Sequence, residues 1–334
     1  WYFLRYCDPK NQEEIFDRDK ANYWMPVDQY IGGAEHACMH LIYFRFYTKF
    51  LRDLGLLDFD EPATKLFNQG MLHGPDGERM SKSKGNVVLP ETVSEKYGID
   101  TARFFLASAA SPDKDVDWSD KGIEGSLRFI NKVFDYYGDV SKGESDVKVV
   151  SKMHKTISDV SSGIDEFRYN IAIISLRKFF EYMSSFENNS KEVLGNFLKL
   201  LHPFCPHITE ELWERMGNNE LVTISEWPSF DPSQIDEEAE VLEDAVENTI
   251  KDIHRVKELA KIDNPKSISL IVSPLWKFDF YSKLKDLLTK TRDPSEIIKA
   301  IMSTDLKRYG KEIARTIPST IKDDSKLPLI VLDQ

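Results

Sequence analysis

The hydrophobic pattern of this chain changes near residue 118, and the change limits the folds that the chain can adopt. Before it, short β-branched segments that end in turn residues alternate with segments of helical spacing; after it, the spacing is almost purely helical. The elements predicted before the change are a strand over 27–33, a helix over 34–54, a strand over 65–72, and helices over 92–97 and 100–107. Asp100 opens the last helix and can cap it. This order predicts part of a parallel α/β sheet, whose ligands bind beyond the carboxyl ends of the strands.

Two further modules are predicted after the change in pattern. Amphipathic helices with apolar stripes can close a core between residues 119 and 228, and Pro206 suits the first turn of one of them. The features of the last module are strand-like alternation at Ile268, Leu270 and Val272, helices from Asp279 and Pro294, and an apolar strand-like end over Leu327–Leu332. The predicted domains are therefore an α/β region over 1–118, a helical bundle over 119–228 and a small α/β module over 229–334.

Composition is that of a folded chain with two or three domains. Its 334 residues are 41% hydrophobic and 12% aromatic, which is enough to fill real cores. No apolar run approaches the ~20 residues of a membrane span, and Trp1–Tyr6 lack the layout of a signal peptide. Cys7, Cys38 and Cys205 have neither paired nor metal-type spacing, so we expect a cytoplasmic protein with no membrane partner. The net charge of −12 argues against a general nucleic-acid coat but allows a local basic footprint.

A run of basic, hydroxyl and glycine residues over 76–86 is the clearest sign of chemistry. Gly77 and Gly85 give the backbone freedom to approach a ligand closely, and the ammonium groups of Lys82 and Lys84 can meet phosphate oxygens as point charges. The plain alternative is a solvated basic loop, which is the usual meaning of scattered lysines. The concentration of these residue types in one run instead favours a loop that binds a polyphosphate, and hence ATP chemistry.

The junction between the first predicted strand and helix can form a seat for a nucleoside. Gly33 lets a flat base lie against the backbone, Glu35 can accept hydrogen bonds from ribose hydroxyls, and His40 lies further along the same helix. A metal site is the rival interpretation, because His36 and His40 are one helical turn apart with Cys38 close by. Cys38 points to another face, and no distant Cys or His pair completes a tetrahedral set, so no metal ligand is predicted. A purely structural role stays open for His36.

Several of these segments resemble one enzyme family. The run Arg-Met-Ser-Lys-Ser-Lys-Gly-Asn-Val-Val, residues 79–88, resembles the KMSKS signature loop of class I aminoacyl-tRNA synthetases, with Arg79 in place of its first lysine. Gly33, Glu35 and His40 match the class I pattern Gly-x-Asp/Glu-x4-His that holds ATP. The resemblance therefore covers both the loop and the strand-to-helix junction.

Other segments are similar to the leucine-specific branch of that family. Pro-Val-Asp-Gln-Tyr-Ile-Gly-Gly-Ala-Glu-His, at 26–36, looks like the segment that precedes the signature loop in leucyl-tRNA synthetases. Trp-Tyr-Phe at the start resembles part of a motif near the amino-acid pocket, and 67–71 looks like the strand that passes under the adenine. Residues 202–213 are similar to the anticodon-binding helices of the leucine, isoleucine and valine enzymes. The last module resembles the C-terminal region of archaeal-type leucyl enzymes.

The resemblance implies the C-terminal portion of a leucyl-tRNA synthetase: the C-terminal half of a Rossmann-type catalytic domain, an anticodon-binding helical bundle and a small α/β module. Its implied reaction activates leucine with ATP to leucyl-adenylate and transfers the leucyl group to tRNA(Leu). Mg²⁺ accompanies the nucleotide in this expectation, although no carboxylate cluster identifies its ligands. Lys82 is expected to stabilise the α-phosphate and the departing pyrophosphate, aided by Arg79 or Lys84. The other candidates are Ser81 and Ser83 in the loop, and Gly33, Glu35, His40, Gln69, Met80 and Lys82 for binding ATP.

Parts of the family pattern do not occur in this sequence. The His-Ile-Gly-His-type motif, the first half of the nucleotide fold and the inserted editing domain are not found in it. We therefore expect the chain alone to be inactive and to require an N-terminal synthetase half. The alternatives are a split-enzyme subunit, a truncated sequence, a non-catalytic tRNA-binding paralogue, and an isoleucine, valine or methionine enzyme. The intact Lys82 weighs against a decayed paralogue.

Overall fold

The chain divides into two compact units, Trp1–Gln234 and Ile235–Gln334. The computed structural model describes residues 2–262, 264–270 and 273–322. Within these ranges, no helix combines the length and the apolar character that a membrane crossing needs. The three-part division predicted from the sequence, with boundaries at 118 and 228, stays a prediction.

The first unit starts with mixed elements and continues as a helical bundle. Its helices are α1 (Tyr2–Cys7), α2 (Arg18–Trp24), α3 (His40–Asp53), α4 (Pro90–Tyr97), α5 (Ile99–Ala109), α6 (Asp120–Asp139), α7 (Val147–Asp165), α8 (Tyr169–Met183), α9 (Lys191–Leu201) and α10 (Pro206–Arg215). Its strands are β1 (Tyr30–Gly33), β2 (Leu66–Gln69), β3 (Leu72–His73), β4 (Val116–Asp117), β5 (Ser141–Lys142) and β6 (Asn188–Asn189), and 3₁₀ turns span Ala34–Cys38, Val222–Ile224 and Pro232–Gln234.

The strands of the α/β part pair in parallel, as the sequence predicts. β1 lies beside β2 with Tyr30 opposite Leu66, and β3 lies beside β4 with Leu72 opposite Val116. Parallel neighbours need a crossover connection, which α3 supplies between β1 and β2. The two pairs form separate ladders in place of the one sheet that was expected.

The second predicted strand is interrupted at Gly70, which separates β2 from β3. The Gly70 N–H donates to the Pro112 carbonyl (2.8 Å), and the Met71 N–H donates to the Asp115 carboxylate (2.7 Å). A Cβ at position 70 would lie 2.1 Å from the Lys114 carbonyl oxygen. Only glycine therefore allows the incoming backbone to approach this closely, and the ladder breaks where it does so.

The helix predicted over 34–54 is divided into two parts. Ala34–Cys38 is a 3₁₀ turn, Met39 leaves the helical region with φ −133° and ψ −69°, and α3 then begins at His40. The tight turn brings the Glu35 carboxylate over Gly33, where a Cβ would lie 2.1 Å from it. The glycine is therefore needed for the observed position of Glu35.

Asp100 does not cap α5, contrary to the sequence prediction. Gly98, with φ +82°, precedes that helix without any side-chain cap, and Asp100 lies inside its first turn. The Asp100 carboxylate instead accepts hydrogen bonds from the Ile208 N–H and from His207 Nδ1, both at 2.8 Å. It thereby satisfies a backbone donor in the first turn of α10, where helical partners are lacking.

The bundle α6 to α10 encloses the largest buried core of the described residues, and Phe104 of α5 joins it. Ser119, Asp146 and Ser190 cap α6, α7 and α9 by accepting from backbone N–H groups. Pro206 occupies the first turn of α10, as predicted. Burying each large apolar side chain contributes about 1.5–3 kcal/mol, so this cluster stabilises the unit that also carries β1 to β4.

Every regular element that the structure describes in the second unit is an α-helix or a 3₁₀ turn. Its elements are α11 (Glu237–Ala260), α12 (Leu275–Leu288), α13 (Pro294–Met302), a 3₁₀ turn (Asp305–Tyr309) and α14 (Gly310–Lys322). α13 begins at Pro294 as predicted, whereas α12 begins before Asp279. The predicted strand is absent at Ile268 and Leu270, which are 54% and 64% exposed with no neighbouring strand to pair with in the described part of the unit. Val272 and Leu327–Leu332 lie outside the described residues.

Candidate functional site

The basic loop, defined here as residues 74–86, is fastened at its base to β3. His73 forms an antiparallel bridge with Arg79, and the Gly74 N–H donates to the Glu78 carbonyl (2.8 Å). These contacts return the chain beside the strand that it has just left. The base of the loop is therefore fixed, and its apex projects from the α/β part of the unit.

The apex of the basic loop is a single turn that ends at glycine. The Ser81 carbonyl accepts from the Lys84 and Gly85 N–H groups, both at 3.1 Å, and Gly85 has φ +69°. The hydroxyls of Ser81 and Ser83 lie 2.8 Å apart. Lys82 lies inside this turn, so backbone hydrogen bonds define the position from which its side chain extends.

Two cations of the loop are available to an external anion. Lys82 and Arg79 are exposed, and neither side chain has a hydrogen-bonded or ion-pair partner within the described residues. Lys84 differs, because its ammonium lies 3.2 Å from the Glu78 carboxylate. The geometry thus distinguishes Lys82, which the resemblance ranked first, from Lys84, which already has a carboxylate partner.

Met80, which was predicted to contact ATP, packs inward here. It is partly buried against a hydrophobic cluster that includes Val93, Phe105 and Trp118. Its side chain therefore anchors the loop to α4 and α5, and its contact with a nucleotide stays a prediction.

A cleft of about 270 Å³ lies at the junction of β1 and α3. Its lining includes the backbone of Gly32 and Gly33 and the side chains of His36, His40 and Asn68. Glycine backbone, imidazole and amide together can accommodate a flat heterocycle and its hydrogen-bonding groups. A concave surface therefore lies where the nucleoside seat was predicted, and nucleoside binding there stays a prediction.

A second, more apolar cleft of about 490 Å³ shares two residues with the first. Phe3, Trp24 and Phe44 line it, and Tyr30 and His40 line both clefts. The Tyr30 hydroxyl and His40 Nε2 are hydrogen-bonded to each other, and the His40 ring stacks on Phe44 with centroids 5.5 Å apart. The Tyr30–His40 pair therefore forms the boundary between a polar and an apolar cleft.

The predicted ATP-binding residues fall in different places around these clefts. Gly33 and His40 line the polar cleft, and the Glu35 carboxylate lies directly over Gly33. Gln69 pairs with Gly33 across the strands, but it is Asn68 that lines the cleft. Neither Asn68 nor Tyr30 was predicted as a site residue from the sequence, although the alternation of side chains along β2 was a signal for Asn68.

The rival metal interpretation finds no ligand set in this region. The His36 and His40 rings are 6.1 Å apart and perpendicular, and Cys38 is exposed. Across the residues that the structure describes, no group of three or more His, Cys, Asp or Glu side chains could hold a metal ion.

Two family models match the chain. The model described as tRNA synthetases class I (I, L, M and V) matches residues 15–119, and the anticodon-binding domain of tRNA ligase matches residues 146–272. A leucine–tRNA ligase of Geotalea uraniireducens is 48% identical over 261 residues, which cover 71% of this chain and 32% of the relative. This chain is homologous to a part of the leucine–tRNA ligases. It is also 37% identical over 313 residues to the leucine–tRNA ligase of Petrotoga mobilis, covering 86% of this chain and 38% of that relative.

A solved leucine–tRNA ligase structure agrees with this homology. The ternary complex of Agrobacterium radiobacter K84 agnB2 LeuRS with tRNA and LeuAMS matches with a TM-score of 0.62 and 33% identity, over 70% of this chain and 32% of that one. The chain thus spans about a third of the length of the leucine–tRNA ligases that it matches. These relatives are bacterial, so the archaeal-type assignment of the last module is not supported.

The bundle of this ligase homologue holds its two motif histidines in hydrogen bonds. His202 contacts the hydroxyls of Thr209 and Thr223 through its two ring nitrogens, both at 2.7 Å, and burial lowers its pKa. His207 contacts Asp100. A neutral His202 joins α9, α10 and the following 3₁₀ turn, which is a structural role.

Proposed function

We propose that this chain supplies the ATP-binding loop and the tRNA-facing bundle of a leucine–tRNA ligase, which activates leucine with ATP and transfers it to tRNA(Leu). The observation that carries the proposal is an exposed Lys82 in a turn fixed by backbone hydrogen bonds, without a side-chain partner among the residues that the structure describes, in a homologue of leucine–tRNA ligases. Its role would be to stabilise charge on the α-phosphate and on the departing pyrophosphate, with Arg79 as the second available cation.

The two clefts beside β1 support the same reaction. Activation requires the leucine carboxylate to attack the α-phosphate, so the amino acid and the nucleotide must lie side by side. The apolar cleft suits a leucine side chain and the polar cleft suits a nucleoside, and the Tyr30–His40 pair lies between them. Glu35, above Gly33, would accept from the ribose hydroxyls.

Mg²⁺ is proposed as a partner of the nucleotide phosphates. The described residues offer no cage of three or more ligands, and Mg²⁺ commonly binds through substrate phosphates and water. The same proposal assigns tRNA(Leu) binding to residues within 146–272, the range that matches the anticodon-binding model. A reducing cytoplasm suits the three free cysteines.

The test uses a chimera, because the chain spans only part of its relatives. The matching region of the Geotalea uraniireducens enzyme is replaced by this chain, and leucine-dependent exchange between ATP and pyrophosphate is measured. Lys82→Ala should reduce the exchange about 100-fold, because one preorganised charge contact is worth about 3 kcal/mol. The KM for leucine should change little. Lys191→Ala removes the same charge from an exposed position on α9 and serves as the control.

Two results would contradict the proposal. One is a normal rate of ATP–pyrophosphate exchange in the Lys82→Ala chimera, which would show that the loop's Lys82 has no role in leucine activation. The other is a folded chimera without exchange that still binds tRNA(Leu), which would favour a non-catalytic tRNA-binding protein.

A further inference from the structure

Asn86 joins the two ends of the basic loop through its side-chain amide. Its Oδ1 accepts a hydrogen bond from the Ser81 N–H (2.9 Å), and its Nδ2 donates to both carboxylate oxygens of Asp76 (3.0 and 3.1 Å). Asp76 also accepts from the Glu78 N–H at 3.1 Å. One amide therefore connects the first turn of the loop to the turn that carries Lys82.

We propose that Asn86 and Asp76 form a side-chain clamp that holds the basic loop closed and positions Lys82. The inference rests on the proposed function, because it assigns the clamp to the same phosphate-binding loop. Both are positioning residues: their polar groups are used within the loop, and they act through the backbone of Ser81.

The donors and acceptors of the clamp are fixed by chemistry. An ionised carboxylate only accepts, so Asn86 must present its NH₂ to Asp76 and its oxygen to Ser81. The hydrogen bond from Asn86, followed by that from the Glu78 N–H, lowers the pKa of Asp76 and keeps it ionised. Hydrogen bonds to a charged group are stronger than neutral ones, so this link is the strongest side-chain contact that Asn86 makes.

The backbone around the clamp is shaped to admit it. Gly74 is buried beneath the two side chains, and a Cβ there would lie 2.8 Å from Asp76 Oδ1 and 2.9 Å from the Asn86 carbonyl oxygen. Any larger residue would separate Asp76 from Asn86. On the other side, the carbonyl of Ser81 accepts from the N–H groups of Lys84 and Gly85, so holding the Ser81 N–H fixes the start of the turn around Lys82.

The structure suggests an exchange of the two side chains as a test. Asn86→Asp places two carboxylates opposite each other and removes the donor, which should open the loop. In the double variant Asp76→Asn with Asn86→Asp, the amide at position 76 can donate to the carboxylate at position 86. The new amide oxygen still accepts from Glu78, and the new carboxylate still accepts from Ser81. The exchange therefore restores the clamp with its polarity reversed.

The first measurement is leucine-dependent ATP–pyrophosphate exchange in the chimera. Losing one hydrogen bond to a charged group predicts a decrease of about 10- to 100-fold for Asn86→Asp in the maximal rate, with an unchanged KM for leucine. The double variant should recover to within about 3-fold of the starting chimera. Asn131→Asp makes the same change of charge at an exposed asparagine of α6, outside both the loop and residues 146–272, and should have no effect.

The second measurement needs no activity and uses the chain itself. Trypsin cuts after lysine and arginine, and Arg79, Lys82 and Lys84 all lie in the basic loop. We expect limited trypsin digestion to cut the loop at least 5-fold faster in the Asn86→Asp variant, and the double variant to regain protection. Gly74→Ala should behave like Asn86→Asp.

The outcomes separate the clamp from the proposed function. If Lys82→Ala does not slow exchange, the proposed function fails, whatever the clamp does. If Lys82→Ala slows exchange but Asn86→Asp does not, or if the double variant recovers neither exchange nor protection from trypsin, the clamp is refuted. Recovery of both in the double variant supports it, since a general loss of folding would not be reversed by a second charge change.

Discussion

Replacing Asp100 tests how the α/β part is joined to the bundle. Asp100 is only 8% exposed, and its carboxylate accepts from the Ile208 N–H and His207 Nδ1. Ile208 lies in the first turn of α10, where the backbone N–H has no helical acceptor. Asp100→Ala therefore leaves a partly buried donor without a partner, and it also removes a negative charge from the positive end of that helix.

The expected magnitude follows from these two losses. An unsatisfied buried donor costs about 1–3 kcal/mol, and the charge at the helix end contributes about 0.3–1 kcal/mol, so Asp100→Ala should cost about 2–3 kcal/mol. A unit of this size loses about 2–4 °C of melting temperature per kcal/mol, which predicts a decrease of about 5–10 °C. Asp100→Asn keeps an oxygen for Ile208 and should cost about 1 kcal/mol. His207→Ala removes a side chain that is 72% exposed and should cost less.

The assay is urea unfolding of the purified chain and the three variants, followed by circular dichroism, with thermal melting as a second readout. The free energy of unfolding should decrease in the order His207→Ala, Asp100→Asn, Asp100→Ala. An Asp100→Ala variant that unfolds at the same urea concentration as the unchanged chain would refute the capping argument. So would a His207→Ala variant that is equally destabilised, since the exposed imidazole would then carry the interaction.

Two further predictions concern the α/β part. The pKa of Glu61 is lowered from 4.5 to about 2, and the largest cause is the hydrogen bond that its carboxylate accepts from Arg45. The ionised Glu61 carboxylate therefore stabilises the fold fully above about pH 4.5, and this contribution is lost as the pH falls through about 2. Glu61→Gln should therefore lower the urea midpoint of unfolding at pH 7, and lower it less near pH 2. An equal decrease of the midpoint at the two pH values would contradict this prediction. Gly70→Ala should lower the melting temperature, because the new Cβ would collide with the Lys114 carbonyl oxygen. Gly138→Ala is the control, because a Cβ at that position of α6 meets open space and should not lower the melting temperature. Equal melting temperatures for the two variants would contradict the argument for a close backbone approach at Gly70.

The elements around the polar cleft were predictable because their signals are local. A β-branched segment followed by Gly32 and Gly33 marks the end of a strand within a few residues, and the helical spacing after it identifies α3. The division at Met39 was not predictable in the same way. Both parts have helical spacing, and the turn is seen only once the Glu35 carboxylate is found over Gly33.

Asp100 was misassigned because its partner is remote in the chain. A carboxylate at the start of a helix is a common cap, and nothing near residue 100 contradicts that interpretation. The actual donor, the Ile208 N–H, is 108 residues away and becomes close only through the packing of α5 against α10. Local patterns predict which residues can cap, but tertiary packing decides which helix end a buried carboxylate serves.

The basic loop shows the same limit for charges. Its composition indicated phosphate binding but did not rank its cations, because a sequence lists cations without their counter-ions; Lys82 was placed before Lys84 and Arg79 only through the family resemblance. The fold distinguishes them: Glu78 lies against Lys84, while the side chains of Lys82 and Arg79 have no partner within the described residues. A lysine that already has a carboxylate partner must exchange it for phosphate, whereas Lys82 needs no such exchange. The arrangement of its neighbours therefore adds a physical argument for Lys82 as the charge that meets the leaving group, a role that was assigned to it from the sequence through the family resemblance alone.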